Sequence, residues 1–493
     1  MEETIEETEP ETAEEVRKKG DFTKHLILVT VISSTGFLQY GYNFWVLHFP
    51  SVVLMNFYNA TDDQRGEGSA HQSILWLLFF LAIALYPLGG LVGSFIFAPL
   101  ADMCGRQQTL IINNFLSMVC AILMGFSKMV QAYEFSMFSR FLTGVSSGIF
   151  SNIVPVYLSE IAPKNRRGAI NVVASFFLIF GILIGQVFTA PQLLGNEKGW
   201  PILMSFAGFM ALFQIVPLFY IPESPRYLLI QKRDEGNARQ VLMKLKGQDN
   251  VEEEMEDLRL EDHAERTEKN MTIFKLIHFP GLQRRFTIIL VLMFAQQFAG
   301  YSAMHLIDSV GRRILLLSGF GVCSICCAVL PITIHLQTFH SWMSYINTIL
   351  IITFLLGHFI GPGSIPHLLV AELFLQSSRS SAFAASGAMF WLWRFIATLT
   401  LGAPAKRACL QMQPADQGER NSPAARPTPR LPSPAELADW QAALRAYAFL
   451  LYLPVGLATF LFIFKFIPET KKKTFREIRR ILATQATKKI VVK

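Results

Sequence analysis

Runs of about 20 apolar residues, the length a helix needs to cross the hydrocarbon core of a bilayer, recur along most of this 493-residue chain. Candidate spans fall at 25–48, 73–100, 109–127, 134–158, 169–190, 201–221, 286–306, 314–336, 343–370, 382–402 and 446–467, eleven in all. Composition agrees: 52% of residues are hydrophobic and 16% charged, against roughly 25% charge in a soluble domain. The expected class is an all-α polytopic membrane protein.

The ends of the runs orient them. At Val156 to Gly168 an apolar run stops at Glu160 and gives way to Lys164, Arg166 and Arg167, the pattern of a cytoplasmic loop under the positive-inside rule. Val370 to Arg379 repeats it with Glu372 and Arg379. The first 20 residues hold eight Glu and turn basic at Arg17, Lys18 and Lys19. No cleavable signal peptide is visible there, and residues 1–24 are expected in the cytosol. Loops on that side carry Arg106 and Arg226, whereas the other side shows Arg65, Lys128 and Lys198. Asn59 opens an Asn-Ala-Thr triplet in the first outside loop, a candidate glycosylation acceptor. The net charge of +7 therefore sets orientation toward a lipid bilayer, with no nucleic-acid partner implied.

Two stretches are not membrane-like. Residues 222–285 divide two membrane halves, 25–221 and 286–402, and include helix-compatible segments at 234–246 and 251–266; their Glu252 to Glu256 run reads as a solvated helix face. Residues 403–445 hold seven prolines and six bases, a linker composition. The last helix, 446–467, precedes a basic tail, 468–493. Cys323, Cys326 and Cys327 sit in an apolar run as small packing residues, so neither a metal site nor a disulfide framework is expected.

Three signatures occur twice. Asp102-Met-Cys-Gly-Arg106 returns as Asp308-Ser-Val-Gly-Arg312-Arg313; Glu160 with its arginines returns as Glu372 with Arg379; Pro222-Glu-Ser-Pro-Arg226 returns as Pro468-Glu-Thr-Lys471. Repeated halves of six spans are a transporter architecture. With GYN at 41–43, PLGGLVGS at 87–94, PESPRYLL at 222–229, QQFAG at 296–300, GPGSIP at 361–366 and PETKKKTF at 468–475, the chain resembles the facilitative hexose transporters of the major facilitator superfamily. The resemblance is nearest the class containing the fructose transporter. It implies two six-helix halves, a plasma-membrane location with both termini cytosolic, transport of fructose or glucose by alternating access, and no cofactor.

The repeat also serves as a ruler. Asp102 to Glu160 spans 58 residues and Asp308 to Glu372 spans 64, a match; Glu160 to Pro222 is 62 but Glu372 to Pro468 is 96. The excess coincides with 403–445. Lys24 to Asp102 is 78 residues and holds two spans, whereas Arg285 to Asp308 is 23, so one span is missing there, corresponding to parts of the family's seventh and eighth helices. Altered exon usage or a faulty gene model would produce both changes. The alternative to a working carrier is thus a transport-incompetent variant, at most a membrane partner or regulator.

A sugar offers hydroxyls, so its carrier needs neutral hydrogen-bonding groups and an aromatic face near the midplane. The resemblance nominates Tyr40, Gln186, Gln296, Gln297, His358 and Trp391 for the hexose. It nominates Asp102, Arg106, Glu160, Arg166, Arg167, Arg312, Arg313, Glu372 and Arg379 for a cytosolic charge network that pairs and separates as the carrier switches. Departures from the family pattern are Ser302 and Arg394, each in place of asparagine, His367, and Gln107 with Gln108 at basic positions. Gly144-Val-Ser146-Ser-Gly148 matches a hydrolase nucleophile elbow, but that motif needs a preceding strand. In an apolar helix the two glycines read as a packing pair, and no enzyme is expected.

Overall fold

The computed structural model describes residues 23–46, 53–54, 56–58, 60–61, 72–163, 167–190, 192–248, 250–265, 287–292, 312–336, 340, 342–360, 365–374, 376–410 and 453–467. Its elements are α1 (Lys24–Val46), α2 (Gln72–Cys104), α3 (Arg106–Met129), α4 (Tyr133–Ile161), α5 (Arg167–Phe188), α6 (Trp200–Leu218), a π-helical turn (Tyr227–Gln231), α7 (Glu235–Lys246), α8 (Glu252–Glu265), α9 (Arg312–Leu336), α10 (Met343–Ile360), α11 (Ile365–Leu373) and α12 (Gln376–Leu410), followed by α13 (Leu453–Phe466). There is no strand among the described residues. By length and composition, six helical stretches among them, the first at Leu81–Cys104 and the last at Arg313–Leu336, are apolar enough to cross a membrane.

One expectation about element boundaries changes. Within the run at 343–370 the structure describes helix over Met343–Ile360 and Ile365–Leu373, and residues 361–364 lie outside the described residues. The stretch 403–445 does not begin as a linker, because α12 runs on to Leu410. Six of the eight residues from Ala403 to Leu410 are Ala, Lys, Arg or Leu, strong helix formers that outweigh Pro404. The remainder of that stretch and most of 286–306 lie outside the described residues; 287–292 is helical.

Helices are packed through small residues, as expected where lipid is as apolar as leucine and close approach of backbones supplies the attraction. α1 crosses α5, α2 crosses α4, α3 lies between α4 and α6, and α12 lies against α2. At the α2–α4 crossing a Cβ on Gly144 would stand 2.1 Å from the Tyr86 carbonyl oxygen, and one on Gly148 2.3 Å from that of Gly90. The Gly144–Gly148 segment is therefore a helix contact, with Ser146 buried and its Oγ 2.7 Å from Ser117 Oγ on α3. Cys323, Cys326 and Cys327 are likewise buried on α9, where Cys323 Sγ donates to the Phe354 carbonyl of α10 at 3.5 Å.

The linker helices are locally encoded. Asp234 caps α7 by accepting from the Asn237 amide at 3.0 Å, and Gly247 ends it in the left-handed region at φ 65°, the standard stop for which glycine has no Cβ penalty. Leu229, Ile230, Ala238, Val251, Met255 and Leu258 form a separate small core. Thr23 ties it to α1: its Oγ1 donates to the Leu245 carbonyl at 2.5 Å and accepts from the Leu26 amide at 3.1 Å.

Gly144→Ala forces a backbone shift at the α2–α4 crossing and is expected to cost about 1–3 kcal/mol. Gly236→Ala on α7, where the nearest atom to the added Cβ is 3.8 Å away, is neutral or stabilising. Thermal unfolding of the detergent-solubilised protein checks this. Equal midpoints for the two variants would contradict the assigned crossing.

Candidate functional site

Trp391 is the residue on which the two sets of membrane helices meet. It projects from α12 and is fully buried. Gly90 on α2 makes room for it, since a Cβ there would lie 2.2 Å from the indole. Its Nε1 donates to Ser151 Oγ on α4 at 3.3 Å. Around the indole stand Tyr40 of α1 at 5.9 Å, Tyr86 of α2 at 5.5 Å and Phe390 at 5.4 Å between ring centroids. Tyr86 Oη donates to Ser147 Oγ at 3.1 Å, and Asn152 Nδ2 donates to Ser94 Oγ at 3.1 Å. The result is an aromatic cluster edged by hydroxyls and one amide, all neutral. Tyr86, Ser94, Ser147, Ser151 and Asn152 escape the sequence reading; the available signal was Ser147 and Ser151 at i, i+4 beside the Gly144–Gly148 stripe.

One charge borders this cluster. Arg394, one turn along α12 from Trp391, holds its guanidinium carbon 3.9 Å above the centre of the Phe44 ring of α1 and 5.8 Å from that of Trp391. A ring face returns about 0.5–2 kcal/mol against an insertion cost on the order of 2.5–3.5 kcal/mol for arginine in the middle of a membrane helix.

Of the six residues nominated for the hexose, the structure brings Tyr40 and Trp391 together. Gln186 lies on α5 with its side chain exposed. His358 falls in α10, its side chain outside the described residues, and Gln296 and Gln297 lie outside them altogether, as does Asn59. A different set of buried amides is present. Gln39 Nε2 of α1 donates to Asn114 Oδ1 of α3 at 2.8 Å and to Gln214 Oε1 of α6 at 2.7 Å, and Gln214 Nε2 donates to the Ile32 carbonyl at 3.0 Å. It ties three helices together; amides in apolar runs were its signal, and the family resemblance directed attention to others.

At the end of the bundle that bears α7 and α8, the charges converge. Arg106 and Glu160 have no exposed side-chain surface and pair at 3.0 Å from Nε, with Nη2 at 3.2 Å. Asp102 lies 3.8 Å from Arg106. The guanidinium also donates to the Ala101 carbonyl at 3.0 Å and to Ser380 Oγ of α12 at 3.4 Å, and stands 4.9 Å over the Tyr227 ring. Arg379 of α12 reaches Glu160 at 3.9 Å and Glu261 of α8 at 3.5 Å, while Arg226 holds Glu261 at 2.6 Å. Glu223 accepts from the Arg106 and Gln107 amides at 2.9 and 3.1 Å, an anion at the N-terminus of α3. Burial pushes its carboxyl pKa up, opposed first by a hydrogen bond from the Ser224 amide at 2.8 Å, then by the Arg106 charge and the two amides.

Asp102, Arg106, Glu160 and Arg379 are thus gathered as nominated, and Glu223, Arg226 and Glu261 join them. Arg313 donates to the Phe464 carbonyl of α13 at 2.6 Å. Arg167, Arg312 and Glu372 sit in α5, α9 and α11 with side chains outside the described set, and Arg166 lies outside it. Among the described residues no group of three or more His, Cys, Asp or Glu side chains has the geometry to hold a metal.

Comparison with known proteins gives one answer. The chain is 36% identical over 509 aligned positions, 96% of its length and 94% of the relative's, to human solute carrier family 2, facilitated glucose transporter member 5. It is also 36% identical over 504 positions, 94% and 91%, to human member 7. In fold it matches the major facilitator proton:xylose symporter XylE bound to 6-bromo-6-deoxy-D-glucose, with a TM-score of 0.74, 19% identity, and 93% and 99% of the two chains covered. The inward-open form of XylE from E. coli superposes at 0.63, with 20% identity and coverage of 92% and 99%. The family described as "Sugar (and other) transporter" matches residues 28–305 and 301–482, two pieces that join where the spacing comparison places the missing span. Near-complete coverage at this identity establishes that the chain belongs to the sugar transporter family, and its fold is that of the major facilitator symporter XylE.

Proposed function

We propose that this protein carries a hexose, fructose or glucose, down its gradient across the plasma membrane by alternating access. It is a carrier and no covalent step is involved. The observation that bears most on this is the neutral aromatic and hydroxyl cluster around Trp391, built by α1, α2 and α4 on one side and α12 on the other. Rings give a sugar an apolar face, and Ser147, Ser151 and Asn152 give its hydroxyls donors and acceptors. Tyr40 and Trp391 form the wall that the described residues supply; Gln186, Gln296, Gln297 and His358 complete the assignment. The end bearing α7 and α8 faces the cytosol, as do both termini, and Asn59 faces outward for glycosylation.

In this state the cytosolic end is shut. Glu160 of α4 and Arg379 of α12 meet across the two halves, and Glu261 joins Arg379 to Arg226. Opening inward separates α12 from α4, while Arg106 keeps Glu160 paired within its own half. Arg166, Arg167, Arg312, Arg313 and Glu372 belong to the same gate.

Uptake of labelled fructose and glucose into vesicles containing the full chain is the test. Saturable uptake, reduced tenfold or more by Trp391→Ala, is expected; equilibration no faster than in empty vesicles would sink the carrier reading and favour the transport-incompetent alternative. A second measurement concerns the gate. Glu261→Gln removes the charge that links Arg226 to Arg379, so amide hydrogen exchange across 252–265 is expected to speed up severalfold. Unchanged protection there would show that α8 takes no part in closure.

A further inference from the structure

We propose that Arg394 makes this site selective for a sugar bearing a carboxylate, a hexuronate, over a neutral hexose; the inference rests on the carrier reading above. Three observations carry it. The guanidinium is half-buried within α12 and lies over the Phe44 ring at 3.9 Å, so one flat face is covered while the N–H bonds, which lie in its plane, remain available. Among the described residues its side chain meets aromatic rings but no carboxylate and no hydrogen-bond acceptor, and the side-chain hydrogen bond at this position is that of Thr398 Oγ1 to the Arg394 backbone carbonyl at 2.9 Å. It is 5.8 Å from the Trp391 ring, within the length of one sugar of the cluster that would hold the hexose.

A guanidinium presents N–H donors and no acceptor. Its planar fork pairs with a carboxylate through two parallel hydrogen bonds, stronger than those it makes to neutral hydroxyls. An intramembrane cation is costly until an anion meets it, so the site gains most from a ligand that brings one negative charge on a sugar-sized ring. A sugar phosphate is the poorer match, since it carries close to two charges against one. Phe44 and Tyr40 stand one turn apart on α1 with rings 6.5 Å apart, so Arg394, lying over Phe44, is one helical turn from the Tyr40–Trp391 wall.

The test uses the full chain in phosphatidylcholine vesicles, with labelled D-glucuronate and D-fructose, and the variants Arg394→Asn and Arg394→Lys. The wild type is expected to favour glucuronate, and Arg394→Asn to lower the glucuronate-to-fructose uptake ratio at least tenfold, with Arg394→Lys between. The same ratio in wild type and Arg394→Asn overturns the proposal while leaving the hexose carrier standing. Should no form transport either sugar, the carrier reading falls and thermal stabilisation decides selectivity. D-glucuronate must then raise the unfolding midpoint of the wild type more than D-glucose does, and Arg394→Asn must abolish the difference. Equal shifts overturn the proposal and reduce Arg394 to a pin between α1 and α12.

Discussion

The pair formed by Arg106 and Glu160 is the constraint on which the rest depends. Two charges with no solvent-exposed side-chain surface are tolerable only if their hydrogen-bonding capacity is met, and removing one partner from such a pair costs about 3–5 kcal/mol. That requirement positions several elements at once. Arg106 needs the Ala101 carbonyl at the end of α2, Glu160 at the end of α4, Ser380 near the start of α12 and the Tyr227 ring of the π-helical turn. The break between α2 and α3 is fixed by the same residues: Gly105 adopts φ 100°, a conformation that side chains resist, and Glu223 caps the helix that follows.

The membrane interior is organised by contact where this end is organised by charge. Gly144 and Gly148 let α4 lie against the α2 backbone, and Gly90, whose carbonyl faces Gly148, also admits Trp391. One helix therefore relays the position of α4 to α12. Ser151 closes that relay by accepting from the indole. The aromatic cluster is consequently held from both sides by residues that belong to the packing as much as to the site.

Features that depend on sequence neighbours were legible before the structure, and features that depend on distant partners were not. Arg106 and Glu160 interrupt apolar runs, so composition marks the ends of α2 and α4 and the start of α3 to within a few residues. The α7 cap is written in Asp234 and Gly247. Glu261, by contrast, lies in the helix-compatible segment 251–266 with nothing nearby to single it out, because its partners Arg226 and Arg379 are 35 and 118 positions away. Gln39 and Gln214 are 175 positions apart and carry no motif.

Two contacts of Glu160 differ in length in the direction that the proposed alternating access would require. Within its own half it meets Arg106 through several N–H donors at 3.0 to 3.3 Å, whereas across the halves Arg379 stands at 3.9 Å. A short charge-assisted hydrogen bond is worth roughly twice a neutral one, while a contact at 3.9 Å retains Coulomb attraction without the hydrogen bond. In the switching proposed above, separating α12 from α4 would part the longer contact and leave Glu160 paired with Arg106. Arg106 also donates to Ser380 Oγ of α12 at 3.4 Å, so that contact would part as well. The second partner of Arg379, Glu261, belongs to the linker segment 222–285.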